Sequence, residues 1–137
     1  MSWDVTIMKF GQSYGSVEEI PDDATPLPLG STADVHAFVT KFFPGTDWSD
    51  AAWGIFDSPF GSIEFNLGKD DPAESMMLHV RASNEIVAPI VAMCREYGWN
   101  ALDCSTGELL EKSENPAEGI EGWRAFRDKV LSRQSEA

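Results

Sequence analysis

The chain has 137 residues, 42% of them hydrophobic, and sets 23 acidic against ten basic side chains for a formal charge of −13. That length and apolar fraction suit one globular domain with its own core and exclude a disordered chain. The charge argues against unaided nucleic-acid binding, which neutralises phosphates with Lys and Arg, and against docking on an anionic membrane.

The first element is a strand, because Val5 and Ile7 alternate with Asp4 and Thr6 between Trp3 and Phe10. Residues 11–30 carry Gly11, Gly15, Pro21, Pro26, Pro28 and Gly30, the punctuation of a loop. A loop that long wraps the surface, anchored by Ile20, Leu27 and Leu29, or covers a site. Ser31 or Thr32 caps a helix whose Val35, Phe38, Val39 and Phe42 repeat as one buried face, and Pro44-Gly45 stops it.

Three short strands follow, Trp53 to Phe56, Ser62 to Leu67 and Ser75 to Ala82, joined by turns too short for parallel crossovers. Ser83 caps a second helix running to about Tyr97. Pro89 predicts a kink there or a later true start. Gly98 ends that helix, Trp99 to Cys104 forms a fifth strand, and an acidic stretch from Glu108 to Glu121 leads to a last helix carrying Trp123, Phe126 and Val130. The order β-α-β-β-β-α-β-α predicts an α+β domain, a mainly antiparallel sheet of about five strands with three helices packed against it.

Catalytic and cofactor motifs are absent. No G-x-G-x-x-G occurs, and Gly68-Lys69 leads into Asp70 rather than Ser or Thr. His36 and His79 lack ligand partners at helical spacing, so neither a metal nor a cofactor is expected. Cys94 and Cys104 both have apolar neighbours and are expected as buried, reduced thiols. No basic stretch leads into an apolar run, and none approaches the roughly 20 residues that cross a bilayer, so the cytoplasm is the expected location.

One side-chain cluster follows from register. If Ile63, Phe65 and Leu67 share a face with Met76, Leu78 and Val80, the other face sets Ser62, Glu64 and Asn66 beside Met77, His79 and Arg81. Glu64, His79 and Arg81 could then do acid–base work on an anionic substrate, or simply pair charges across strands. Among five tryptophans, Trp53, Trp99 and Trp123 read as core, and Trp48 as an exposed binding residue. Charge is uneven along the chain, −4, −6 and −5 over residues 1–41, 42–80 and 81–121 but +2 over 122–137, so the last helix is the one basic element.

The segments Trp53-Gly54-Ile55-Phe56, Ser62-Ile63-Glu64-Phe65-Asn66, Leu78-His79-Val80-Arg81 and Trp99-Asn100-Ala101-Leu102-Asp103 with Thr106-Gly107-Glu108 together resemble a family of small uncharacterised bacterial proteins, which implies no activity. In size, acidity and layout the chain is also similar to immunity proteins that neutralise polymorphic bacterial toxins. The leading expectation is a non-enzymatic domain binding a basic protein partner through residues such as Trp48, Glu64, Asn66, His79 and Arg81. The alternatives are a small enzyme or ligand-binding domain using Glu64, His79 and Arg81, and a homodimer that buries the sheet face.

Overall fold

The alternation of apolar and polar residues that marks the strands resolves, in a computed structural model describing residues 2–136, into six strands and three α-helices. In chain order they are β1 (Trp3–Met8), α1 (Thr32–Phe42), β2 (Asp47–Asp50), β3 (Trp53–Ser58), β4 (Gly61–Asn66), β5 (Met76–Ala82), α2 (Val87–Tyr97), β6 (Asn100–Asp103) and α3 (Glu118–Glu136). The sheet order is β2-β3-β4-β5-β1-β6, antiparallel at every pairing. The α+β class and the three-helix layout are as the sequence predicts, with one strand more.

Period-two burial defines the core face. Trp3, Val5 and Ile7 of β1, Ile63 and Phe65 of β4 and Met76, Leu78 and Val80 of β5 are all buried. Val35 and Val39 of α1 and Ile90 and Met93 of α2 join them, while Phe38 stacks on Tyr97 to hold the two helices together. Ser31 caps α1 by accepting from the Asp34 amide at 3.1 Å. The opposite face carries Asp4, Thr6, Glu64, Asn66, Met77 and His79, none of them fully buried.

The additional strand is β2. Asp47-Trp48-Ser49-Asp50 has no apolar alternation, so its pairing with β3 comes from backbone bonds and one side chain. Trp48 is half-buried, not exposed: it stacks on His36 at 4.0 Å between ring centroids and donates its indole N–H to Thr40. Gly54 makes room for it, since a Cβ there would lie 2.7 Å from the Trp48 ring.

Ser83 and Cys104 depart from expectation, while α2 has the later true start that Pro89 allowed. Ser83 does not cap α2 with its side chain; a short 3₁₀ turn at Asn84–Ile86 comes first, so Pro89 falls in the first α-helical turn, where its missing N–H costs nothing. Cys94 is buried but Cys104 is exposed, because the strand-end turn carries it outward. Phe126 is 57% exposed, since α3 meets the body through Ile120 and Trp123, one turn earlier. Of the loop anchors, Leu29 is buried, whereas Leu27 is exposed and pairs through its backbone with Lys9.

Asp103 joins these parts. Only 1% exposed, its Oδ1 accepts from the Trp3 indole (3.1 Å), the Ser105 amide (2.8 Å), the Ser105 hydroxyl (2.6 Å) and the Thr106 amide (3.3 Å). α3 packs against this cluster at Gly119, where a Cβ would fall on the Asp103 carboxylate and the Trp3 indole, whereas a Cβ at Gly122 would meet nothing within 4 Å. Gly119→Ala should therefore cost about 1–3 kcal/mol in denaturant unfolding. Gly122→Ala should stabilise by up to about 1 kcal/mol through helix propensity.

Burial pushes the Cys94 thiol far above its usual range, and the Glu111 carboxylate adds to the shift. A raised folded-state value means the unfolded chain loses its proton first. The contribution is therefore intact below about pH 9 and lost as pH rises above it. Wild-type stability should fall in alkali by up to about 1.4 kcal/mol per pH unit more steeply than that of Cys94→Ala, measured by urea unfolding between pH 8 and 10.

Candidate functional site

The predicted cluster forms in part. Glu64 faces His79 across β4 and β5, and Glu64 Oε1 lies 3.7 Å from Arg81 Nη1. His79 Nδ1, however, donates to Asp4 Oδ1 at 2.9 Å, because β1 enters the sheet beside β5 and sets Asp4 directly opposite. Trp53 stacks on the other side of the imidazole at 5.7 Å between centroids, so it belongs to this face and not to the core. Asn66 stands opposite Trp53 and Met77, and Trp48 lies apart, against α1. With Nδ1 held by a carboxylate, Nε2 of His79 is the nitrogen left for proton transfer.

The concave surfaces lie elsewhere. An acidic cleft of about 590 Å³ opens between Gly15–Glu18 of the long loop and the segment 106–118. Four carboxylates, Glu18, Glu108, Glu114 and Glu118, share its lining with one cation, Lys112, which donates to Ser13 Oγ at 2.8 Å. Glu108 accepts from the Ser113 hydroxyl at 2.8 Å, while the other three side chains are exposed with no hydrogen-bond or ion-pair partner among the described residues.

An apolar groove of about 600 Å³ adjoins it, between α3 and the β1–β6 side of the sheet. Trp3, Gly119, Gly122, Trp123 and Phe126 line it, with Asp4 and Cys104 at one end. Thr106 and Glu118 belong to both the cleft and the groove, so the two adjoin. Arg127 lies over the Trp123 ring at 5.0 Å, and the buried Trp123 indole N–H has no hydrogen-bond acceptor.

Glu64, His79 and Arg81 line neither surface; Asp4, their neighbour, reaches the end of the groove. The sequence marks the acidic stretch Glu108–Glu121 and the long loop separately. Nothing in their spacing shows that they face each other, since the contact depends on where the turn after β6 points. No family model, curated protein or solved structure matches the chain. No helix among the described residues is long and apolar enough to cross a membrane, and no group of His, Cys, Asp and Glu among them could hold a metal ion.

Cys104 ends the groove with its Sγ 3.4 Å from the Thr6 hydroxyl. A thiol reagent should titrate one thiol in the native protein, Cys104, and the second, Cys94, only after unfolding.

Proposed function

We propose that the chain is a protein-binding domain that takes a basic segment of a partner protein, an apolar side chain entering the groove and neighbouring Lys or Arg side chains entering the cleft. The observation that carries this reading is that an acidic cleft and an apolar groove adjoin at Thr106 and Glu118. Trp123 and Phe126 supply an aromatic wall of the kind that anchors interfaces. Around this centre the charge of −13 draws a basic partner over distances limited by salt screening.

The face formed by Asp4, Glu64, His79 and Arg81 then serves as a flanking polar surface, with the cleft as the principal contact. A basic toxin met in the cytoplasm is one partner of this chemistry, as the likeness to immunity proteins implies.

Short synthetic Lys/Arg-rich peptides, with and without a central Trp or Leu, test the reading by NMR titration of the full chain. The apolar-anchored peptide should shift the Trp123 indole resonance saturably and bind more tightly than the unanchored one. Its affinity should fall as salt rises from about 50 to about 200 mM. Phe126→Ala should weaken it by at least about 1 kcal/mol. Glu114→Gln with Glu118→Gln should weaken it by up to about 1 kcal/mol per carboxylate. Binding that ignores salt, or that survives Phe126→Ala unchanged, overturns the proposal.

A further inference from the structure

A second cleft of opposite sign lies beside the acidic one. It measures about 460 Å³, within the size range of small-ligand sites, and runs between the end of β1, residues 12 and 13, the C-terminus of α2 and residues 111 and 112. Lys9, Arg95 and Lys112 line it, three of the ten cations in a chain with 23 acidic side chains. None of the three makes an ion pair among the described residues, and the Lys9 side chain has no hydrogen bond there either. Arg95 donates to the Glu111 backbone carbonyl at 3.2 Å, which leaves most of its guanidinium fork open.

The lining holds one acidic side chain, so three positive charges face one negative. Glu111 is 9% exposed, and its two carboxylate oxygens accept from Asn100 Nδ2 and the Ala101 amide, each at 3.0 Å. Trp99 stands in the same wall, 2% exposed, and its indole N–H is buried with no acceptor.

We infer that this cleft binds a small dianion, a phosphate monoester or a dicarboxylate, held by Lys9, Arg95 and Lys112, with the Trp99 indole in the wall behind them as a reporter of binding. Recognition comes from side chains, because the nearby C-terminus of α2 favours cations and holds Arg95 in place for the same reason.

The test is an NMR titration of the full ¹⁵N-labelled chain with inorganic phosphate and, separately, with malonate, against sodium chloride at matched ionic strength. The Trp99 indole resonance should shift saturably with at least one of the two dianions and not with chloride. Response to phosphate alone, malonate alone or both supports the site and identifies its anion. Lys9→Gln and Arg95→Gln should each raise the dissociation constant by about tenfold or more, with the rest of the spectrum unchanged. Lys129→Gln on α3 should leave it as it was. A shift that follows ionic strength whatever the anion, or one that persists undiminished in both variants, overturns the inference.

Discussion

The buried carboxylate of Asp103 is the point on which the β1–β6 side of the molecule depends. A carboxylate withdrawn from water without partners costs several kcal/mol, and here four donors from β1 and the turn after β6 converge on one of its oxygens. Those bonds tie the indole of Trp3 to the end of β6 and set the direction of the turn at residues 104–107. α3 can approach only where it presents no side chain, at Gly119. The acidic cleft and the apolar groove both include Thr106, so the shape of each follows from this joint.

Much of the fold can be read from local patterns. The i, i+3, i+4, i+7 spacing of Val35, Phe38, Val39 and Phe42 places α1, and the apolar sets on β4 and β5 put Glu64 and His79 on one face, opposite or diagonal; the structure sets them directly opposite. What escapes is anything decided by a third element. The pairing of β4 with β5 leaves His79 near Glu64 and Arg81, yet the closest carboxylate comes from Asp4, because β1 occupies the sheet position beside β5. Trp48 reads as a loop aromatic because its flanking residues are polar, but Gly54 on the next strand opens a seat for it.

The candidate sites show the same division. Charge counting finds an acidic body and a basic last helix, which is correct as composition. It does not find that Lys112 stands between two adjacent clefts, one lined with carboxylates and the other with cations. The basic helix meanwhile directs its charge inward in part: Arg124 donates to Asn84, and Arg127 lies over Trp123. Sign at the scale of a cleft is set by which turns meet, and the sum over the chain conceals it.

The place of β1 in the sheet has a consequence for how the chain finds its structure. β3, β4 and β5 form a meander whose contacts are local and quick to close. β1 pairs with β5 and β6, so Trp3 meets Val80, and the strand that lies between them comes from the far end of the sequence. Closing that loop costs more chain entropy than closing the meander, and the cost comes before the burial that rewards it. Until β1 arrives, β5 has an open edge on its inner side and β6 has no neighbour in the sheet. A chain paired only through the meander would therefore present strand edges open to another copy of itself.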